Sequence, residues 1–197
     1  MLNTEHKLNK IDKYFITPNY TEKNSKEYFI KIEKLFISGI KLLQFRSKNL
    51  KLKDYAVISK KIYNLCKKYN VTYIINDYTN LKLNKYCDGI QLTSENLINI
   101  KINNIDKKYM LFGSCHNINE VKICNNYRLD FILISPIKNT GSKKGIGWSN
   151  FKRLVSESNI PVFALGGMLY DEDINTVKCC GAIGVASTSN FYNLFNA

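Results

Sequence analysis

The sequence lacks any apolar run long enough to cross a membrane. Its 197 residues contain no stretch of roughly 18 or more apolar side chains, which a membrane-spanning helix requires. The first residues, MLNTEHKLNK, also lack the apolar centre of a secretory signal peptide. With 45% hydrophobic and 23% charged residues, the composition is that of a folded globular protein. We therefore expect a cytoplasmic globular chain with no membrane partner.

Closely spaced cysteine pairs, which bind zinc or form redox motifs, are missing as well. None of the six cysteines belongs to a CxxC motif, and Cys179 and Cys180 are adjacent, which is poor geometry for a structural disulfide. Single cysteines usually pack as small apolar side chains. We expect reduced thiols in a reducing compartment.

Acidic residues are scarce relative to basic ones. The 16 Asp and Glu residues face 29 Lys and Arg residues, for a formal net charge of +13. Such an excess suits nucleic acids, anionic membrane surfaces or anionic small substrates. The lysines are dispersed among many Asn and Ile residues, and the chain has neither a zinc-finger nor an RNA-recognition signature. We interpret most of this charge as solubilising surface and expect no nucleic-acid partner.

The chain alternates short apolar runs with longer amphipathic stretches. The runs are rich in Ile, Val, Phe and Leu without polar alternation, which is typical of strands buried on both faces. They begin at Lys13, Ile40, Val71, Asp88, Met110, Asp130, Pro161 and Ala182. Eight strands joined by helices predict a parallel sheet closed into a single (β/α)₈ TIM barrel rather than an open sheet. We assign residues 13–197 to this α/β barrel and residues 1–12 to a polar leader.

The segments between the runs have helical periodicity. Apolar residues in 25–38 recur at spacings of three and four before a glycine ends the pattern. The other predicted helices span 52–69, 117–127, 149–157 and 170–180. The stretch after Thr93 has the weakest helical pattern. Asn117 and Asp171 are predicted N-caps, since their side chains can accept hydrogen bonds from free helix N–H groups.

Polar residues that follow the apolar runs are the candidates for chemistry, because the active site of such a barrel forms at the C-terminal ends of its strands. Gln44, Arg46 and Lys48 point the same way in an extended segment. Their two cations and one amide suit a phosphate or a pyrophosphate. Asp77, after the third run, could hold a divalent cation. His116 follows the fifth run and is one of only two histidines.

The loops after the last three runs form a second candidate anion site. The loop after the sixth run carries hydroxyls and amines on a glycine-containing backbone and could close over a substrate. The seventh run ends in Gly166-Gly167, whose N–H groups can approach an anion. Loops after strands 7 and 8 are the frequent phosphate site of this fold. The candidates are Thr140, Ser142, Lys143, Gly167, Ser187 and Thr188.

In combination these residues resemble the thiamine phosphate synthase and thiazole tautomerase superfamily. The resemblance extends from about Tyr14 to Phe191. Five segments carry the resemblance, in the same order along the chain. QFRSK from Gln44 resembles the family's Gln-Leu-Arg-Glu-Lys, IND from Ile75 matches its Ile-Asn-Asp, and DGIQL from Asp88 resembles its Asp-Gly-(Ile/Val)-His-Leu. TGSK from Thr140 resembles Thr-x-Thr-Lys, and ALGGM from Ala164 resembles Ala-Ile-Gly-Gly-Ile. The resemblance implies an enzyme that joins hydroxymethylpyrimidine pyrophosphate to a thiazole phosphate and releases pyrophosphate.

The resemblance also implies roles for individual residues. Pyrophosphate leaves first in that family, and the thiazole nitrogen captures the pyrimidine carbocation. Arg46, Lys48, Asn76, Ser114 and Lys143 would hold the departing pyrophosphate and offset its charge. Gln44 would face the pyrimidine, and Asp77 would hold Mg²⁺. The thiazole phosphate would be bound by Thr140, Ser142, Gly167, Ser187 and Thr188.

The sequence departs from the family pattern at several positions. Asn96 stands where the family has a second Mg²⁺ carboxylate, which weakens the implied metal site, and Glu95 is its neighbour. Ser142 keeps the hydroxyl of the family threonine, and Ser47 replaces a glutamate. The segments SCHN, ISP, GW and ALGGM also resemble a branch that is often fused behind Nudix hydrolase domains.

Two other interpretations stay open from the sequence. A thiazole tautomerase transfers a proton without a metal, and His116 would be its acid–base group. Asn96 favours that interpretation, whereas Asp77, Lys48 and Lys143 oppose it. The other alternative is a non-catalytic protein that binds a thiazole or thiamine phosphate. The partners expected are phosphorylated small molecules, and the oligomeric state is open, a homodimer included.

Overall fold

The protein folds as a closed barrel of eight parallel strands, in the order β1 to β8 around the ring. In this computed structural model, the described residues are 11–82, 86–99, 101–141 and 143–195. The strands are β1 Lys13–Ile16, β2 Leu42–Phe45, β3 Thr72–Asn76, β4 Gly89–Leu92, β5 Met110–Cys115, β6 Phe131–Ile134, β7 Val162–Leu165 and β8 Gly184–Ser187. β1 pairs with both β2 and β8, which closes the ring. The prediction of a (β/α)₈ barrel is confirmed.

Helices cover the outside of the barrel. They are α1 Ser25–Ile37, α2 Leu52–Lys68, α3 Ser94–Asn99, α4 Ile118–Tyr127, α5 Gly147–Ser156, α6 Tyr170–Cys179 and α7 Ser189–Tyr192. The connection after β3 contains the 3₁₀ helix Tyr78–Lys82 in place of an α-helix. The weak periodicity after Thr93 corresponds to α3, which is only 6 residues long. The segments with the clearest helical periodicity, 25–38 and 52–69, form the long helices α1 and α2, with 13 and 17 residues.

Two separate apolar cores follow from the alternation of side chains along each strand. One lies between the barrel and its helices. The other fills the barrel interior, where the Tyr14 ring packs against Phe112 at 5.5 Å and Phe163 at 5.4 Å between centroids. Phe131 stacks on Phe112 at 5.0 Å. These rings fill the barrel interior below the C-terminal ends of the strands.

One of the two predicted N-caps is correct. The Asn117 side chain accepts hydrogen bonds from the N–H groups of Asn119 and Glu120, at 3.0 and 3.1 Å. The prediction for Asp171 is wrong, because α6 begins one residue earlier and Asp171 lies inside its first turn. The carboxylate that reaches the start of α6 is Asp173, which accepts from the Leu169 N–H at 2.8 Å. Because Asp171, Glu172 and Asp173 are consecutive acidic residues, the sequence does not indicate which of them accepts the hydrogen bond at the helix start.

All six cysteines lie among the described residues and are free thiols. Cys66, Cys115 and Cys124 are buried, and burial raises the pKa of the Cys66 thiol. In the part of the chain described, no helix is long and apolar enough to span a membrane. Residues 1–10 of the predicted leader lie outside the described residues, so its boundary stays a prediction.

Candidate active site

A cavity of about 510 Å³ opens at the C-terminal ends of the strands. Its position follows from the parallel barrel, which brings the ends of all eight strands to one side. Most of the residues predicted from the sequence line it: Gln44, Arg46, Lys48, Asn76, Asp77, Ser114, His116, Thr140, Lys143 and Thr188. Ser142 lies outside the described residues. The two candidate anion sites therefore share one cavity.

Gly167 and Ser187 do not line this cavity. Ser187 is buried, donates to the Met168 carbonyl at 3.3 Å and accepts from the Asn190 N–H at 3.4 Å. A Cβ atom on Gly167 would lie 2.8 Å from the Lys138 Cβ atom. A side chain is excluded at Gly166 as well, since a Cβ atom there would lie 2.6 Å from the Pro136 Cα atom. The glycine pair thus lets the loop after β6 pack against the end of β7.

The floor of the cavity is a layer of amides and hydroxyls above the aromatic rings of the barrel interior. The Gln44 Nε2 group donates to the Tyr14 hydroxyl at 2.9 Å and to Gln91 Oε1 at 3.2 Å. Asn76 Nδ2 donates to Gln44 Oε1 at 3.2 Å, and Gln91 Nε2 donates to Ser114 Oγ at 3.0 Å. Burial raises the pKa of Tyr14, so its phenol keeps its proton. The floor is polar but uncharged.

Two floor residues, Gln91 and Tyr14, have no role assigned from the sequence. Gln91 lies in β4, within the DGIQL segment that resembles a family motif, and it stands where that motif has a histidine. Strand pairing also indicates that Gln91 belongs to the site, because it lies opposite Asn76 in the β3–β4 ladder. Its side chain points inward for the same reason as that of Asn76, because alternate strand residues face the barrel interior.

Three cations face this floor from the cavity wall and rim. Arg46 and Lys48 follow β2, where the Arg46 N–H donates to Thr17 Oγ1 at 3.0 Å and the Lys48 N–H donates to Asn19 Oδ1 at 3.1 Å. Partial burial lowers the pKa of Arg46; its guanidinium stays charged, because that pKa normally exceeds about 12. Ser47 between them is buried and accepts from the Tyr20 N–H at 2.8 Å. The side chains of Arg46 and Lys48 are thereby carried on an anchored backbone.

Lys143, the third cation, is carried by a tight turn in the loop after β6. The Thr140 N–H donates to the Lys143 carbonyl at 2.9 Å, and the Lys143 N–H donates to the Thr140 carbonyl at 2.8 Å. Gly141 lies in this turn with φ of 51°, a left-handed conformation that glycine adopts without steric cost. In the described part of the chain, no salt bridge joins Arg46, Lys48 or Lys143 to a carboxylate. A cavity with this charge suits an anionic ligand.

Lys138, in the same loop, has a different role. Its ammonium group contacts both carboxylate oxygens of the buried Asp173 at 2.8 Å. Because Asp173 lies on α6, this ion pair ties the loop after β6 to the helix after β7. Lys138 therefore supports the loop that carries Thr140 and Lys143.

The acidic side of the cavity contains Asp77 and Glu95. Asp77 has φ of 71° and accepts at Oδ1 from the Thr79 N–H at 2.9 Å and the Thr79 hydroxyl at 2.8 Å. Asn96 is buried, and its Oδ1 atom accepts from the Tyr78 N–H at 3.0 Å. Asn96 thus holds the connection after β3 in place, and Glu95 is the neighbouring residue that reaches the cavity.

His116 lies at the cavity rim with one ring nitrogen already engaged. Its Nδ1 atom lies 2.6 Å from the Ser135 carbonyl oxygen. Because a carbonyl only accepts hydrogen bonds, Nδ1 is the donor in this contact. The His116 backbone N–H donates to the Glu120 carboxylate in the first turn of α4.

Fold and cavity together define a (β/α)₈ barrel with a cation-lined cavity at the C-terminal ends of its strands, where active sites of this fold form. The assignment to a family comes from comparison with known proteins. The chain belongs to the thiamine monophosphate synthase family, whose model matches residues 13–191. This confirms the family predicted from the sequence motifs.

Individual relatives agree with this assignment. The chain is 32% identical to a thiamine-phosphate synthase of Fusobacterium nucleatum, over 84% of this chain and 82% of the relative. It is 29% identical to a thiamine-phosphate synthase of Methanococcus vannielii, over 92% of this chain and 87% of the relative. The structure of thiamine phosphate pyrophosphorylase from Pyrococcus furiosus superposes with a TM-score of 0.77 at 23% identity, covering 92% of this chain and 87% of that one. This last likeness supports the fold.

Proposed function

We propose that the protein is a thiamine phosphate synthase, which joins hydroxymethylpyrimidine pyrophosphate to a thiazole phosphate and releases pyrophosphate. The observation that carries the proposal is the set of three cations, Arg46, Lys48 and Lys143, which line one cavity without a carboxylate partner among the described residues. The carboxylates of Asp77 and Glu95 line the same cavity but pair with none of these cations, and a pyrophosphate would supply their counter-charge. The names of the relatives in the family support the same reaction.

The chemistry assigned to the cations is stabilisation of the leaving group. The bond between the pyrimidine methylene carbon and the pyrophosphate oxygen breaks, and the electron pair goes to that oxygen. Arg46, Lys48 and Lys143 offset the added charge, while Ser114 and Asn76 at the floor donate hydrogen bonds to it. The thiazole nitrogen then forms the new bond to the methylene carbon. The uncharged amides of Gln44 and Gln91 face the pyrimidine end of the cavity without adding a competing anion.

The residues of the cavity fit a Mg²⁺ ion bound together with pyrophosphate. Magnesium is usually held by one or two carboxylates plus substrate phosphates, and Asp77 and Glu95 both line this cavity. Asn96 does not fit as the second ligand, because its Oδ1 atom accepts from the Tyr78 N–H. Bound there, Mg²⁺ would neutralise part of the pyrophosphate charge. Asp77 and Glu95 would hold it.

The thiazole phosphate is assigned to the opposite side of the cavity. Thr140, Gly166 and Thr188 line that side, and hydroxyl and backbone N–H groups are good phosphate donors. Gly167 and Ser187 lie behind this side and support the backbone that carries it. We also propose a cytoplasmic location, since free thiols suit a reducing compartment.

The direct experiment incubates the purified protein with hydroxymethylpyrimidine pyrophosphate, thiazole phosphate and Mg²⁺, and measures thiamine phosphate and pyrophosphate by chromatography. We expect the two products in equal amounts, and we expect a chelator to lower the rate. Absence of both products from a folded preparation would contradict the proposal. A thiazole tautomerase would instead be indifferent to chelator and would lose turnover in His116→Ala.

A further inference from the structure

The floor of the cavity forms a hydrogen-bonded chain with a direction. Its amide protons point from Asn76 to Gln44 and from Gln44 to Tyr14 and Gln91. The Tyr14 hydroxyl accepts from Gln44 at 2.9 Å and donates to Gln91 Oε1 at 3.3 Å. Gln91 Nε2 then donates to Ser114 Oγ at 3.0 Å. The chain therefore ends at a serine hydroxyl on the cavity wall.

The orientation of the Gln91 amide decides which way the Ser114 proton points. Turning that amide alone by 180°, with Gln44 and Asn76 as they are, would direct its Nε2 group at the Nε2 group of Gln44, donor against donor. In the observed orientation Ser114 accepts from Gln91, so its own proton is available to the cavity. An anion only accepts hydrogen bonds, so a bound pyrophosphate requires this same orientation.

We propose that Gln91 is a positioning residue that holds Ser114 as a hydrogen-bond donor toward the pyrophosphate. The inference rests on the proposed function and assigns to Gln91 a role through Ser114 rather than a contact with the pyrophosphate. Gln91 is 1% exposed and Gln44 is 2% exposed, so water does not compete for their amides.

The support below the floor keeps this arrangement rigid. The Tyr14 ring is wedged between Phe112 and Phe163, which fixes its hydroxyl at the level of the two glutamine amides. None of the floor side chains changes charge near neutral pH, because the only titratable one is Tyr14, whose buried phenol stays protonated. A donor that is oriented before the ligand arrives costs no reorganisation when charge develops on the leaving group.

The test is a double-mutant cycle read by calorimetric binding of inorganic pyrophosphate with Mg²⁺ at pH 8. The proteins are wild type, Gln91→Leu, Ser114→Ala and the double variant. We expect Gln91→Leu to weaken binding roughly 10-fold, the loss of one hydrogen bond to a charged group. In the Ser114→Ala background the same change should cost less than about 3-fold, because the group through which Gln91 acts is gone. An unchanged affinity in Gln91→Leu, or an equal loss in both backgrounds, would overturn the inference.

Two further variants keep the cycle decisive. If Gln91→Leu does not fold, Gln91→Glu replaces it, because a carboxylate accepts from Tyr14 and Gln44 but cannot donate to Ser114 when ionised. The added charge acts in both backgrounds and cancels in the cycle. Gln91→His should restore affinity to within about 3-fold of wild type at pH 8, since a neutral imidazole has one acceptor and one donor nitrogen.

The outcomes separate this inference from the function on which it rests. Wild-type protein that does not bind pyrophosphate contradicts the proposed function and the inference together. Wild-type binding that Gln91→Leu leaves unchanged contradicts the inference alone.

Discussion

Lys143 and Lys144 are neighbours of the same type with different surroundings. Both are exposed, but only Lys143 lines the cavity, because the turn that begins at Thr140 carries it there. Their identical chemistry makes Lys144 a matched control for the charge of Lys143. The pair therefore separates a local effect of one cation from the general effect of a basic surface.

We predict that Lys143→Ala weakens the binding of inorganic pyrophosphate by about 10-fold or more, since it removes one charge-assisted contact. Lys144→Ala should change the affinity less than about 2-fold, because at that position only a screened surface charge is lost. Calorimetric titration of both variants measures the difference. Equal losses in the two variants would assign the effect to net charge and remove Lys143 from the site.

Position 96 carries an amide, while the neighbouring Glu95 presents a carboxylate to the cavity. Asn96 uses its side-chain oxygen to hold the Tyr78 N–H, whereas Glu95 reaches the cavity that Asp77 also lines. We predict that Glu95→Gln and Asp77→Asn each weaken Mn²⁺ binding in the presence of pyrophosphate by roughly 10-fold, because a hard cation prefers carboxylates to amides. Asn96→Asp should change it less than about 3-fold.

Electron paramagnetic resonance of free Mn²⁺ measures that binding without requiring turnover. A large gain in affinity for Asn96→Asp, with no loss for Glu95→Gln, would show that position 96 is the ligand position and that Glu95 is not.

At the scale of single elements, α4 is the helix whose start has the clearest effect on the cavity. Asn117 caps α4 directly after His116, and the His116 N–H bonds to Glu120 within the first turn. The cap at Asn117 and the backbone of His116 are therefore held by the same first helical turn. Loss of the cap should destabilise the start of α4 and the backbone position of His116.

We predict that Asn117→Ala lowers the free energy of unfolding by about 1 kcal/mol, the usual contribution of an asparagine N-cap. Asn119→Ala, an exposed position in the same turn, should change it by less than about 0.5 kcal/mol. Urea unfolding followed by circular dichroism compares them. If Asn119→Ala destabilises as much as Asn117→Ala, the effect reflects helix propensity and not capping.

The whole molecule carries a net charge of +13, and only part of that charge is at the cavity. Lysines also make ion pairs on the outer helices, such as Lys68 with Glu33 at 3.0 Å and Lys31 with Glu27 at 2.7 Å. Some also lie over aromatic rings, as Lys108 does over Tyr109 at 4.9 Å. Among the described residues, these lysines thus lie on several different outer elements of the barrel.

We predict that duplex DNA binds weakly and without sequence preference, and that binding falls steeply as salt rises, because dispersed lysines supply only counterion release. Fluorescence anisotropy with two unrelated duplexes at low and physiological salt measures this. Tight, sequence-selective binding of one duplex at physiological salt would contradict this prediction.

Much of the fold could be predicted from the sequence, because strands buried on both faces leave continuous apolar runs that are easy to count. The helices with strong periodicity, α1 and α2, were predicted within about a residue of their observed ends. The least periodic stretch became the 6-residue α3. The N-cap at Asp171 failed because three adjacent acids are equivalent in sequence, and only the packing of α6 beside Lys138 selected Asp173.

The sequence by itself determined the barrel, its family and the presence of several cations and hydroxyls at strand ends, since these depend on residue type and on the order of elements along the chain. Only the tertiary structure decided which of them share a cavity. It placed Gly167 and Ser187 behind the wall, gave Asn96 a backbone partner, and connected Gln91 to Ser114 across the floor. Those outcomes depend on strand register and on contacts between residues distant in the chain, as between Tyr14 and Gln91, which no local pattern encodes.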